Sequence, residues 1–217
     1  MSAQPPLGLI VDFYGVLTDG IDDAMRAWSA EDDIDYGEFR SAMAEWFGDE
    51  IVAEATFNPV HALERGELEI PDFETRLAER LRTRDGAAVV ADGLVERMFS
   101  RFEHAPDMAG LVLRAHRAGI RTALLSNSWG DQYMRQGWDD LFDIVVISGE
   151  VGMRKPERAI FEFTLEKLGL SAGQCVFVDD HARNIAAAAS LGIVAVLHRD
   201  YEATGSELDI LFGERLS

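Results

Sequence analysis

Residues 175–197 read CVFVDDHARNIAAAASLGIVAVL. An apolar run, Cys175–Val178, leads into two aspartates; a helix-forming stretch, Ala182–Leu191, follows, and a second apolar run, Val194–Leu197, closes the segment. A strand covered on both faces carries an unbroken apolar run, whereas a half-exposed strand alternates. The segment is therefore a strand–helix–strand unit, and strands joined through a helix lie parallel in one sheet.

The same texture extends toward the N-terminus. Helices are predicted over Asp107–Arg117, Asp131–Gln136 and Glu157–Leu168, and strands over Thr122–Leu125 and Ile144–Ile147. A further strand, Leu7–Val11, opens the chain. Between it and the rest, residues 20–100 change to helical periodicity over Tyr36–Phe47, Glu50–Glu64, Asp72–Arg84 and Ala88–Phe102, with turn signals such as Arg65-Gly66 and Asp85-Gly86 between them. That stretch holds 20 acidic residues against 8 basic ones. The expected organisation is an α/β core made of residues 1–19 and 101–217, interrupted after its first strand by a helical insert, residues 20–100, with an acidic solvated face.

The whole chain of 217 residues has 39 acidic and 20 basic residues, a net charge of −19. Phosphate backbones and anionic membrane surfaces repel such a chain, so nucleic acid and membrane are not expected partners. No apolar run approaches the ~18 residues that span a bilayer, and Met1–Pro6 lacks the pattern of a signal peptide. The single cysteine, Cys175, excludes an internal disulfide and a cysteine-based zinc site; a reducing cytoplasm is the expected location. The five histidines show no metal-binding spacing.

Ligands of open parallel sheets bind beyond the carboxyl ends of the strands. The residues at those ends are Asp12 with Gly15, Ser126-Asn127, Lys155-Pro156 and Asp179-Asp180. A carboxylate at a strand end can serve as a nucleophile, and Gly15 frees the backbone for close approach to an anion. The Ser126 hydroxyl and Asn127 amide can donate to phosphate oxygens. Only two lysines occur, Lys155 and Lys167; one of them stands at a site-forming loop, with Pro156 suited to the first turn of the next helix. Adjacent Asp179 and Asp180 repel each other unless a divalent cation relieves them.

Taken in order, these four motifs resemble the haloacid dehalogenase-like hydrolase superfamily, over Leu7 to about Arg199. FVDDHARN (177–184) and ALERGELEIPDFE (62–74) are most similar to the phosphatase-like N-terminal domain of soluble epoxide hydrolases. The resemblance implies a Rossmann-like sheet with a small helical cap, and a Mg2+-dependent enzyme acting on a small phosphorylated metabolite. It implies Asp12 as the nucleophile, with Mg2+ held by Asp12, the Tyr14 carbonyl and Asp180, and Asp179 in support. Gly15, Ser126, Asn127 and Lys155 would bind the phosphoryl group.

One departure stands out. Phosphatases of this superfamily carry a second Asp two residues after the nucleophile, as general acid and base, a role worth roughly 10²–10⁴ in rate. This chain has Tyr14 there. Tyr14, Asp19 and His181 are the candidate substitutes. Tyr at this position is a feature of metal-free 2-haloacid dehalogenases, which makes carbon chemistry at Asp12 an alternative. Those enzymes, however, have Ser-Ser-Asn where this chain has Asp179-Asp180-His181. A non-catalytic binding protein on the same fold is the other alternative. A Schiff-base mechanism through a cap lysine is excluded, because residues 20–100 contain no lysine. Trp129, just after Ser126-Asn127-Ser128, is the aromatic residue best placed for a pocket.

Overall fold

All five unbroken apolar runs become parallel strands: β1 (Gly8–Val11), β2 (Arg121–Ser126), β3 (Ile144–Ile147), β4 (Cys175–Asp179) and β5 (Val194–Leu197). The computed structural model describes residues 5–18, 20–47, 57–133, 135–213 and 215–217. The strand order is β3-β2-β1-β4-β5. β1 is central: the chain builds outward to β2 and β3 on one side, then crosses to β4 and β5 on the other. The reversal places a crevice at the carboxyl end of β1, where Asp12 stands.

Alternate side chains serve the two faces. Leu9 and Val11 of β1 join Val176 and Val178 of β4 against helices α6 (Pro106–Arg117) and α10 (Tyr201–Phe212). Ile10 and Phe177 face the other way, onto α8 (Arg158–Leu168) and α9 (Ala182–Ser190). Because both faces are covered, no strand position needs a polar side chain until the carboxyl ends.

Among the described residues, five helices lie between β1 and α6 in the chain: α1 (Ile21–Glu31), α2 (Tyr36–Phe47), α3 (Pro59–Glu64), α4 (Ile70–Arg80) and α5 (Leu94–Phe99). They share an apolar cluster of their own, built on Trp28, Phe39, Phe73, Leu77 and Leu94. The chain enters and leaves this region side by side: Thr18 bridges His104 in antiparallel fashion, and Ala105 N–H donates to the Leu17 carbonyl at 2.9 Å. Polar contacts help to join the region to the sheet's loops. Arg65 pairs with Glu157, Arg154 pairs with Glu64, and Arg183 donates to the Phe47 carbonyl. Gly66 (φ +70°) packs so near the Gly149 carbonyl that an added Cβ would lie 2.7 Å from its oxygen.

Four expected helices differ; the one expected over Asp72–Arg84 ends at Arg80, after which Arg82 and Thr83 make β-bridges. Residues 131–136 form no helix among the described positions; a single 3-10 turn, Trp138–Asp140, follows instead. Left-handed Gly130 and Gly137 close off a segment too short for two turns, and Tyr133 and Trp138 anchor it to the core. The helix expected over Ala88–Phe102 starts only at Leu94, after left-handed Gly93. Before it the burial alternates, with Val89 and Ala91 packed inward and Val90 68% exposed, which is extended geometry. Of the helix expected over Glu50–Glu64, Pro59–Glu64 is helical, capped by Asn58; residues 50–56 lie outside the described residues.

Candidate active site

Lys155 is the centre of the site. It is 1% exposed, and its Nζ lies 2.8 Å from Asp12 Oδ1 and 2.7 Å from Asp179 Oδ2. Burial alone would lower its pKa; the charges of Asp12 and Asp179 outweigh that and hold it above the ordinary lysine value. Its position does not come from a helix start. Pro156, joined to Lys155 by a cis peptide bond, precedes the N-cap Glu157, and α8 begins at Arg158, so the proline stands outside the first turn where the sequence places it.

Asn127 fixes Lys155 instead. Its Oδ1 accepts from Lys155 N–H at 2.8 Å, and its Nδ2 donates to the Lys155 carbonyl at 3.0 Å. The side chain expected to bind phosphate is thus occupied in clasping the main chain of its neighbour. Ser126 differs from expectation too. It is fully buried, with Oγ 2.8 Å from the Tyr133 hydroxyl.

The two aspartates at the end of β4 have separate tasks. Asp179 is fully buried and accepts from Lys155 Nζ, from Asn184 Nδ2 at 3.0 Å and from His181 N–H at 2.8 Å. Its oxygens are committed to orienting Lys155. Asp180 turns toward the loop after β1: a Cβ on Gly15 (φ +78°) would collide with its Oδ2. Gly15 therefore serves two needs, a left-handed turn and the close approach of this carboxylate. His181 Nδ1 lies 3.1 Å from Asp180 Oδ1, and that bond raises the imidazole pKa.

Asp12 Oδ1 also accepts from Phe13 N–H at 2.7 Å. Burial pushes its carboxyl up to about 8; Lys155 pulls it down, and Asp179 and Asp180 add to the rise. Three carboxyl groups thus crowd one ammonium, and at that pKa Asp12 keeps its proton at neutral pH. A hard divalent cation binds such oxygen donors and would remove the imbalance, so Asp12 and Asp180, with the Tyr14 carbonyl on the same loop, fit a Mg2+ ion. Among the described residues, Asp179, Asp180 and His181 also bring potential ligand atoms within 4.8 Å of one another.

Tyr14 stands over the site with its ring among aromatic neighbours: Phe102 at 4.8 Å, Phe99 at 4.9 Å and Tyr133 at 5.5 Å between centroids. Burial, then the charges of Asp12 and Asp131, push its pKa up, so its hydroxyl stays protonated and can donate but not act as a base. Asp19 lies outside the described residues.

Asp12, Asn127, Lys155 and Asp180 open into a cavity of about 480 Å3 beneath the helical region. Phe47 and Trp129 line it, while Trp28 and Trp46 belong to the helical cluster and Phe57 is exposed. Sequence reasoning missed Glu64 and Arg154, a buried pair that also lines the cavity. Their signal, an acid in one region and a base ninety residues later beside Lys155, has no local period.

A family model described as haloacid dehalogenase-like hydrolase matches residues 7–192. The chain is 28% identical to rat (Rattus norvegicus) bifunctional epoxide hydrolase 2 over 170 residues, 71% of this chain and 31% of that protein. It is 40% identical to the sesquiterpene phosphatase astK of Aspergillus oryzae over 111 residues, 49% of this chain and 56% of that one. The chain thus spans about a third and about half of these relatives. A HAD family enzyme of Bacteroides thetaiotaomicron, solved with magnesium and inorganic phosphate, superposes with a TM-score of 0.64 at 20% identity, covering 88% of this chain and 93% of that one. The fold is shared with it. No helix among the described residues is long and apolar enough to cross a membrane.

Proposed function

The chain belongs to the haloacid dehalogenase-like hydrolase family, and we propose that it is a Mg2+-dependent hydrolase of a small phosphomonoester, working through an aspartyl-phosphate on Asp12. The helical region, residues 20–100, then acts as the cap over a core made of residues 1–19 and 101–217. One observation carries this reading: Asp12 and the buried ammonium of Lys155 meet at 2.8 Å on the floor of a cavity. A nucleophile needs that neighbour when its target is itself an anion.

Asp12 attacks phosphorus; the Asp12 O–P bond forms, the ester P–O bond breaks, and the leaving oxygen takes its electron pair and a proton from solvent water, whose hydroxide later removes one proton from the released phosphate. Water then attacks phosphorus, the Asp12 O–P bond opens, and both protons of the water leave with the released phosphate. Lys155 neutralises charge on the phosphoryl oxygens in each half, and Asp179 with Asn127 keeps it in place. The Tyr14 hydroxyl faces the leaving oxygen as a hydrogen-bond donor. Asp12, Asp180 and the Tyr14 carbonyl would hold Mg2+, which would supply further neutralisation of the transferring group. The names of two matched proteins, a phosphatase and a magnesium–phosphate complex, support the same chemistry.

The test is phosphate release from p-nitrophenyl phosphate. Asp12→Asn is expected to lower turnover by at least about 10⁴-fold, a loss comparable with removal of other catalytic nucleophiles, and EDTA is expected to abolish turnover in the wild type. Undiminished activity in either arm overturns the reading. Chloride release from a 2-haloacid without metal would assign Asp12 to carbon instead.

A further inference from the structure

Three consecutive residues at the end of α3 meet the segment between β3 and α8, each at a different point. Glu64 pairs with Arg154, Arg65 pairs with Glu157, and Gly66 packs against the Gly149 carbonyl. Lys155 and Pro156 lie between the two paired residues of that segment. The charges run in opposite order on the two sides: acid then base at the end of α3, base then acid in the loop. Sliding one past the other would set like charges together, so the pairing selects a single register.

The loop also moves as one piece. Glu157 N–H donates to the Arg154 carbonyl at 2.9 Å, and Arg154 N–H donates back to Glu157 Oε2 at 3.3 Å. These bonds close a turn whose two central residues are Lys155 and Pro156. Asn127 grips the turn from the sheet side, through the Lys155 N–H and carbonyl; α3 grips both of its ends. The Glu64–Arg154 pair is buried and its loss would be felt strongly, whereas Arg65–Glu157 is partly exposed and holds less firmly. A displaced α3 would therefore carry the Lys155 main chain with it. The ammonium would then leave its place 2.8 Å from Asp12 and 2.7 Å from Asp179.

We propose that Glu64 is a positioning residue for Lys155. Through the Glu64–Arg154 pair, with Arg65–Glu157 in support, the helical region sets where the ammonium stands beside Asp12. Glu64 acts through Arg154 and the turn, with no contact to the reacting atoms required. The consequence for turnover rests on the phosphatase reading above; the placement of Lys155 does not.

The chain's two lysines make that placement visible. Protein labelled with 13Cε-lysine gives two lysine NMR signals, one from buried Lys155 and one from exposed Lys167, assigned with Lys167→Arg. Spectra and p-nitrophenyl phosphate turnover are recorded on the full Mg2+-loaded chain, below the unfolding temperature of every variant. Glu64→Gln, which keeps the side-chain length, is expected to move the Lys155 signal and leave that of Lys167 in place. It is expected to lower kcat/KM on the order of 10²-fold, the cost of a misplacement of about 1 Å. Arg65→Met is expected to change both readouts in the same direction and by less. Leu77→Ala, in the apolar cluster of the helical region, is expected to lower Tm and change neither readout.

An unmoved Lys155 signal or undiminished turnover in folded Glu64→Gln overturns the proposal, as does a Leu77→Ala variant that matches Glu64→Gln in both readouts. Should Glu64→Gln not fold, Arg65→Met decides, and an unmoved Lys155 signal there overturns the proposal. A signal that moves in Glu64→Gln while the wild type itself hydrolyses no ester overturns the phosphatase reading and leaves the placement standing.

Discussion

Arg154 and Lys155 are neighbours in the chain, and both are buried, at 4% and 1% exposure, yet they sit in opposite electrostatic regimes. Among the described residues the Arg154 guanidinium pairs with Glu64 of α3, and that pair is electrically balanced; the Trp129 indole N–H also reaches Glu64, at 3.5 Å. Lys155 lies among Asp12, Asp179 and Asp180, so its cluster is not balanced. The first arrangement joins the helical region to the sheet's loops and needs nothing more. The second crowds three carboxyl groups against one ammonium, so that burial keeps the proton on Asp12 up to about pH 8 unless a further cation arrives. The contrast separates a fastening from a site: a balanced buried pair holds structure, and an unbalanced one calls for a ligand.

The strongest way to break the comparison is to unbalance the fastening. Glu64→Ala leaves the Arg154 guanidinium buried without its carboxylate, which is expected to cost about 3–5 kcal/mol and to lower Tm by on the order of 10 °C. Thermal unfolding followed by circular dichroism reads this directly, with and without Mg2+. Added Mg2+ should not restore the lost stability, because the deficit is on the cationic side. A Tm within a degree of the wild type would show that the pair fastens nothing.

A smaller effect sharpens the same picture. His61 of α3 is buried, its Nε2 without a hydrogen-bond partner among the described residues, and burial, then the charges of Arg154, Arg65 and Arg183, push its pKa down to about 4. The folded state therefore binds this proton less readily than the unfolded chain, whose histidine titrates near 6.5. The resulting stability is complete above pH 6.5 and is lost as the pH falls toward 4. By pH 4.5 the loss should reach about 2 kcal/mol. His61→Leu is expected to flatten this part of the pH–Tm profile relative to the wild type; parallel profiles would contradict the assignment.

The sheet was legible because parallel strands covered on both faces leave unbroken apolar runs, as in Cys175–Val178 and Ile144–Ile147. The positions of Asp12 and Asp179-Asp180 were legible for the same reason, since they end such runs at the carboxyl side of the sheet. What escaped has a common cause: it depends on which side chain reaches which partner across long stretches of chain. Asn127 reads as a phosphate donor, and its clasp on the main chain of Lys155 has no signal in the sequence. Ser126 reads the same way and meets Tyr133. Glu64 and Arg154 carry no mutual signal in the sequence, and the cavity wall draws on residues from Tyr14 to Trp129 that no single period connects. The short stretch around Tyr133 fails as a helix because flanking glycines, Gly130 and Gly137, adopt left-handed conformations.

The unbalanced cluster makes the central claim measurable without any substrate. Titrating Mg2+ into metal-free protein while following Tm should stabilise the wild type by about 2.7 kcal/mol at one hundred times the dissociation constant. In Asp180→Asn, which removes one of the three carboxylates, most of that gain should vanish. An unchanged Tm in the wild type at millimolar Mg2+, or an equal gain in the Asp180 variant, would contradict a metal-dependent site at Asp12 and Asp180.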